Sequence, residues 1–463
     1  MNQSKKSQFK LTALAMALAL VAPGMAAAGG KVLEFKQCVE NTLNQNPEME
    51  VSKLRIQQAE SAYKEASHSR LPQITASLTA SNSDNALNVF GMKLQQRQAT
   101  FADFGFADQA KGLDYAPGDL NKPDAHSDFN TRIEMLIPVY NGGKITSYEN
   151  QAKAMIQAAQ NGDEAVKQYL TFNVYQAYEG VHTARAYIQV AEQAVLAADS
   201  YVKTTTNLVE QGILVRSELL SAKVNQSNAR MALEKAQNQE KIALESLKTL
   251  MSSEYLESID VGSRVDISLP ADNVDDLVAM ALSKNPQLEA KRNEVNSSFA
   301  AVGASKAGLY PSFNLMARQD WNDDTFGFDS SSYTVAGVVS WKITDFGVTS
   351  SGVDRANAAA KAQEAQLRSQ QNQLRLSLLT AWNTLQVAKK QVHVNQLAVE
   401  EAEEAQRLIL KRYSNGVATI TEVLAGQALL DKARAELVAA TFEKNLQTAK
   451  LRLDTGTLRL DML

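Results

Sequence analysis

The stretch LTFNVYQAYEGVHTARAYIQVAEQAV, residues 170–195, decides how this chain folds. Val174, Val181, Ile188 and Val195 recur every seven residues, and Leu170, Ala177 and Ala184 form a second row beside them. A sustained seven-residue period keeps one narrow apolar stripe facing a partner helix, so this is the seam of a coiled coil rather than the broad face of a surface helix. The run around it, Gly143 to Gly212, contains no proline and, after its first residue, only Gly162, Gly180 and the closing Gly212. A helix of that length extends about 100 Å, which no compact domain houses.

The same rod occurs twice. Residues 374–399, LRLSLLTAWNTLQVAKKQVHVNQLAV, repeat it 204 positions later. Leu170, Val174, Ala177, Val181, Ala184, Ile188 and Val195 become Leu374, Leu378, Ala381, Leu385, Ala388, Val392 and Val399, and every position stays apolar. Further out, Asn46-Pro47 and Leu71-Pro72 recur as Asn285-Pro286 and Tyr310-Pro311, now 239 positions apart. The first copy therefore carries 35 extra residues, which fall in an insert at 82–128. Internal duplication of this kind sets the architecture before any motif is considered. The chain reads as mainly α with a small β part, divided into a first repeat at 29–251, a linker at 252–275 and a second repeat at 276–463, with long helices at 144–210 and 348–413.

Four short segments alternate apolar and polar residues, the signature of strands with two unlike faces. They are about 73–81 (Ile74, Ala76, Leu78, Ala80 apolar), 130–138 (Ile133, Met135, Ile137), 312–319 (Phe313, Leu315, Ala317) and 333–343 (Tyr333, Val335, Val339, Trp341). Each approaches the length a tilted membrane strand needs. Their charged residues, Arg132, Glu134, Arg318 and Lys342, are expected to face a barrel lumen, because on a lipid face each would cost about 2–4 kcal/mol at mid-membrane. The insert, with Phe90, Phe101, Phe104, Phe106 and Tyr115, shows no clear period and reads as a structured surface loop.

Bulk properties narrow the classes. The chain has 463 residues, 44% apolar and 21% charged, with only 9 prolines, a composition that suits long helices and not disorder. Residues 1–28 read as a cleaved secretory signal: Lys5, Lys6 and Lys10, an apolar run from Leu11 to Val21, then Ala26-Ala27-Ala28. Removing it leaves 44 basic against 51 acidic residues, a net charge of −7. The single cysteine, Cys38, can form no intramolecular disulfide and reads as a packed residue. His68, His126, His182 and His393 are scattered, and no His-Glu-x-x-His, Cys-x-x-Cys or phosphate-binding loop exists. No enzyme activity, cofactor, metal or nucleic-acid partner is expected.

Lengths suggest how the pieces stack. The return helix 217–251 and the helix 276–308 each span about 50 Å and are expected to match one rod end to end, as are 34–70 and 421–453. Each chain then supplies four rod-length columns and four strands. Four strands cannot close a barrel, since even the smallest outer-membrane barrels use about eight. An open edge in lipid leaves backbone groups unpaired at several kcal/mol each, so a barrel must be shared between chains. A secreted coiled-coil stalk or adhesin and a periplasmic adaptor are the alternatives. A stalk has no need of four two-faced strands, and an adaptor usually carries one helical hairpin rather than two tandem rods.

With these features assembled, the sequence resembles the TolC-type outer-membrane efflux channels (outer membrane factors). The resemblance rests on the two Asn-Pro motifs, Leu71-Pro72 with Tyr310-Pro311, the turn Pro138-Val139-Tyr140-Asn141-Gly142-Gly143, and two tips, Gln211 to Glu218 and Tyr413 to Leu424. It implies a homotrimer with a 12-stranded β-barrel and a 12-helix α-barrel, in the outer membrane of a Gram-negative bacterium and extending into the periplasm. It implies a passive exit duct of a tripartite efflux or type I secretion system, docked on a periplasmic adaptor and an inner-membrane pump. The turn glycines Gly212 and Gly416, with Ile213, Leu214, Val417 and Ala418, would form the docking tips. Glu422 matches an acidic ring at the closed entrance, while a second ring position falls on Ala425. Tyr413 and Glu218 match a hydrogen-bonded tip lock whose arginine position is Ala418 here, leaving Arg216 as the available substitute. The second Gly-Gly turn reads Ile343-Thr344-Asp345-Phe346-Gly347, so a looser strand-to-helix bend is expected there.

Overall fold

The structure is a computed structural model that describes residues 31–112, 114–253 and 258–460. The signal-peptide reading of residues 1–28 lies outside them. In chain order the elements are β1 (Lys31–Leu33), α1 (Phe35–Gln45), α2 (Pro47–His68), β2 (Gln73–Ser83), α3 (Ala86–Gln95), α4 (Gly118–Asn121) and β3 (His126–Asn141). Then follow α5 (Lys144–Glu210), α6 (Arg216–Leu250), β4 (Ile259–Val261), α7 (Val274–Lys284), α8 (Pro286–Lys306), β5 (Ser312–Asp323), β6 (Ser331–Ser340), α9 (Val348–Ser414) and α10 (Ile420–Asp454).

The two long helices, α5 and α9, each run 67 residues, about 100 Å. The seven-residue row is buried along its middle, while Ile188, Val195, Val392 and Val399 further on are half-buried. Val174, Val181, Leu378 and Leu385 are fully buried, and Leu170, Ala184, Ala381 and Ala388 nearly so. α5 packs against α2 and α8 along its first half and against α6 and α10 along its second, while α9 packs on α8 and α10. The result is a sheet of columns in the order α2/α6, α5, α8/α10, α9.

The end-to-end pairing differs from the expectation from lengths. α6 stacks on α2, not on the 276–308 segment, and α10 stacks on α8, not on residues 34–70. The Asn-Pro motifs make these joints. Asn46 caps α2, accepting from the Glu48 amide, and its side-chain amide donates to the last carbonyl of α6, Leu250, at 2.9 Å. Asn285 caps α8 in the same way and donates to Asp454 at the end of α10, again at 2.9 Å. One side chain thus satisfies the start of one helix and the end of another, and proline at the first helical position costs no hydrogen bond. Length alone could not distinguish the two pairings, because α1 and α7 leave the columns and pack separately.

α7 packs Leu277 and Ala281 against Leu378, Ala381 and Leu385 of α9, and α1 joins a belt on α5. β1 pairs in parallel with β4, and with α1 they bury Leu33, Phe35, Cys38, Val39, Ile259 and Val261 against Tyr175, Tyr178 and Val181 of α5. Residues 259–267 of the linker are therefore part of a core as well as a connection. Arg264 fastens this belt to the buried Glu179 of α5 at 2.8 Å, and Asn445 of α10 donates to the same carboxylate.

The four remaining strands form one antiparallel sheet in the order β2-β3-β5-β6. Its register puts Arg132 opposite Ser77 and Asp320, Glu134 opposite Thr75 and Arg318, and Arg318 opposite Thr334, all on one polar face. Ile74, Met135, Ala317 and Val335 line up on the other, together with Ile133, Tyr333 and Val339. Val139 is an extra residue in β3, a bulge where the register shifts before the rod begins. β6 ends at Ser340, so Trp341 and Lys342, expected in the fourth strand, stand beyond it. Lys342 lies 3.9 Å from Asp345 in the strand-to-helix turn instead of on the sheet.

The two turns into the rods share a backbone. Gly142 and Gly143 have φ of 66° and 82°, and Phe346 and Gly347 have 52° and 96°. A Cβ at Gly142 would meet the Ala307 carbonyl oxygen at 2.4 Å, so glycine is required there by close approach as well as by conformation. Phe346 accepts the left-handed conformation, at about 1–2 kcal/mol, with its ring almost wholly exposed. The second bend is thus looser in its early loss of strand pairing but not in its turn geometry.

Candidate functional site

Two regions carry chemistry, the sheet and the tip at the far end of the rods. At the tip, α5 and α9 each end in a Schellman turn. Ile213 N–H returns to the Leu208 carbonyl and Val417 N–H to that of Arg412, with Gly212 and Gly416 at φ of 73° and 69°. Ile213 and Val417 are exposed at the apex. Leu214 and Ala418 turn inward, into a small apolar cluster with Tyr201, Ala222, Tyr413, Ile420 and Val423.

Glu422 sits at the third position of α10. Its carboxylate accepts from the Thr419 backbone N–H while the Thr419 hydroxyl accepts from the Glu422 N–H, a reciprocal capping box. It remains half exposed and lies 3.5 Å from Arg412. Glu218 occupies the equivalent place in α6, but Val215 stands where Thr419 would be and offers no hydroxyl. One Glu218 carboxylate oxygen is buried without a hydrogen-bond partner.

Tyr413 is buried, and its hydroxyl pairs with that of Thr205 at 2.7 Å rather than with Glu218 or Arg216. Burial raises the Tyr413 pKa; the Thr205 bond opposes this in part, and the nearby Glu218 charge adds a smaller upward push. Arg216 is the first residue of α6 and is exposed.

Beside this pair lies a polar network that the sequence reading missed. Gln406 of α9 donates from Nε2 to the Tyr201 hydroxyl at 2.7 Å. That hydroxyl donates to Gln427 Oε1 at 2.6 Å, and Gln427 Nε2 donates to Asp431 at 2.7 Å. Tyr201 belongs to α5, whereas Gln427 and Asp431 belong to α10, so the network ties the first helical hairpin to the second. Gly426 makes room for it, since a Cβ there would meet Gln406 Oε1 at 2.2 Å. Its sequence signal was present. The row Leu378, Leu385, Val392, Val399 continues at Gln406, where the first copy has Val202, and the row Leu170, Ala177, Ala184 continues at Thr205.

On the sheet, Asp320 is 5% exposed and forms a double ion pair, with Arg132 Nε at 2.7 Å and Arg318 Nε at 2.9 Å. The opposite face is bare: Ile74, Leu78, Tyr333, Val335 and Val339 are 55–80% exposed. No helix among the described residues is long and apolar enough to cross a membrane, and no group of metal-ligating side chains occurs among them.

A sheet with a bare apolar face, a charged face and two unpaired edges, carried on rods of about 100 Å, is a segment of the wall of a membrane-spanning tube. Comparison with known proteins gives that wall its family. The family model for outer membrane efflux proteins matches residues 38–253 and 277–457, and the chain belongs to that family. The outer membrane efflux protein BepC of Brucella suis is 22% identical over 384 residues, covering 81% of this chain and 82% of the relative. Among solved structures, the outer membrane protein VceC of Vibrio cholerae superposes with a TM-score of 0.72 at 17% identity, covering 92% of this chain and 96% of that one. The open-state MtrE channel of Neisseria gonorrhoeae gives 0.73 at 17% identity, over 93% and 90%. The chain is an outer-membrane efflux channel subunit that reaches into the periplasm, a passive conduit and not an enzyme. Channels of this family are trimeric and work with adaptors and inner-membrane pumps.

Proposed function

We propose that three copies of this chain close a 12-stranded barrel in the outer membrane and a helical tunnel across the periplasm, forming the exit duct of a tripartite efflux or type I secretion system. The observation that carries this is the sheet. β2 and β6 each have one unpaired edge, and in hydrocarbon that edge is tolerable only if β6 of one chain pairs with β2 of the next. Ring closure puts the bare apolar face against lipid and the Arg132, Glu134 and Arg318 face toward water.

The tips, with Ile213 and Val417 exposed, are the docking surface for a periplasmic adaptor, and an inner-membrane pump supplies the energy and selects the cargo. Glu422 from three chains forms an acidic ring at the entrance that favours cations, moderated by Arg412. Tyr413 holds the closed tip through Thr205, not through Glu218 or Arg216.

Single-channel recording of the detergent-purified protein in a planar bilayer tests this reading. Discrete cation-preferring conductance steps are expected. A water-soluble product that never conducts would refute it in favour of a structural stalk.

A further inference from the structure

Register places Asp128 and Asn322 on the polar face of the sheet, at the end remote from the rods. Residues of that face on β2, such as Ser77, are open to solvent, yet Asp128 is 7% exposed and Asn322 4%. Part of the cover is the insert that follows β2. Asn85 caps α3 by accepting from the Leu87 and Asn88 amides, so the helix starts as soon as the strand ends. The residue that caps its C-terminus is Gln96, 3% exposed, whose amide donates to Asp128 Oδ1 at 3.0 Å and to the Ser127 carbonyl at 2.9 Å, and whose Oε1 meets His126 Nε2 at 2.7 Å.

The far side is pinned as well. Ser330 Oγ donates to the Gln96 carbonyl at 2.7 Å, and Arg97 donates to the Ser331 carbonyl at 2.6 Å. The insert therefore spans from β3 to the loop before β6, and Arg97, at φ 57°, turns the chain back at that anchor. Beyond it the segment is folded in its own right: Lys93 pairs with Asp103 at 2.6 Å, and the Phe90 and Phe104 rings meet edge to face at 5.2 Å.

We infer that the insert of each subunit folds over the water-facing side of the barrel, and that three inserts narrow its extracellular mouth, their exposed Leu87 and Phe101 meeting the same residues of the other two subunits. The inference rests on the barrel proposed above. The side of the sheet is fixed by Asp128, whose carboxylate shares its face with Arg132 and cannot face lipid cheaply. The occupant is a second copy because closure of β6 on β2 sets each insert beside the next subunit's. Leu87 is 81% and Phe101 79% exposed in the single chain, and the Phe101 ring meets that of the exposed Phe106 at 5.5 Å, so the insert presents an apolar surface free to meet a second copy.

The test uses accessibility. Cys38, the single native thiol, is buried and its pKa is pushed up to about 12 by burial, so an introduced cysteine is the only reactive one. Ser77→Cys probes the polar face and Leu78→Cys the apolar face. Intact cells are treated with a bulky PEG-maleimide, with residues 86–123 either present or replaced by a short Gly-Ser turn. Labelling of Ser77→Cys should accelerate about tenfold or more when the insert is shortened, because a constriction no longer limits entry. Equal rates would overturn the inference. Leu78→Cys should stay unlabelled in both, and the protein should migrate as a trimer. Labelling of Leu78→Cys, or loss of the trimer in the full-length protein, would instead overturn the barrel reading. The double substitution Leu87→Asp with Phe101→Asp leaves the Gln96 anchor intact. It should also speed Ser77→Cys labelling, and an unchanged rate would overturn the contact between copies.

Discussion

Tyr201→Phe should loosen the closed tip without unfolding the protein. The Tyr201 hydroxyl accepts from Gln406 at 2.7 Å and donates to Gln427 at 2.6 Å, and all three side chains are buried. Removing one oxygen deletes both bonds. Gln406 keeps its longer bonds to the Val423 carbonyl at 3.2 Å and to Gln427 at 3.4 Å, so neither amide is left wholly unsatisfied. With partial compensation the loss amounts to about 1–3 kcal/mol. Because the network joins α5 to the α9–α10 hairpin, that energy belongs to the state in which the two hairpins lie together. In the proposed duct the entrance opens by parting them, so the open population should rise about 5- to 150-fold. Open probability in planar bilayers measures this directly, and entry of large antibiotics into cells measures it indirectly. An unchanged open probability with a lowered melting temperature would show that the network is only structural, and the reasoning would fail.

Other perturbations separate the remaining contacts. Tyr413→Phe removes one hydroxyl pair and should open the tip by a smaller step, about 0.5–1.5 kcal/mol, read in the same recordings. Glu422→Gln keeps the capping geometry but not the charge, so cation preference and block by trivalent cations should weaken while thermal stability changes little. Asn285→Ala removes both the cap of α8 and its joint to α10 and should destabilise by about 1–3 kcal/mol, measured by denaturant unfolding. Asp431 has its pKa raised by burial, so the folded state holds a proton at pH values where the unfolded chain has lost it, and stability falls as pH rises through that window. Asp431→Asn should therefore raise the melting temperature at neutral pH, with the gain shrinking on acidification below the ordinary carboxylate range.

Periodicity carried most of the fold. The seven-residue rows placed both rods, and two-residue alternation placed the four strands and sorted their faces except at the end of the fourth, where Trp341 and Lys342 stand beyond the pairing, because burial on one side leaves a direct mark on residue type. Pairing of the broken columns was not readable, since it depends on where Asn46 and Asn285 point in three dimensions and not on segment length. The insert was illegible for a related reason: Gln96 is held by Asp128, His126 and Ser330, contacts that no local pattern announces. At the tip, resemblance directed attention to Tyr413 and Glu218, whereas this chain joins Tyr413 to Thr205 and adds Tyr201, Gln406 and Gln427. Gln406 interrupting an apolar row was the available clue, and a polar residue at a seam position is most informative when its copy in the other repeat is apolar.

The measurement that bears most directly on the whole account is electron cryomicroscopy of the detergent-solubilised particle. The account predicts a three-fold ring in which β6 of each chain hydrogen-bonds to β2 of the next, around a hollow axis continuous from the barrel into the helical tunnel. A particle whose β2 and β6 edges are covered within one chain, or whose helices close into a solid bundle with no axial space, would contradict it.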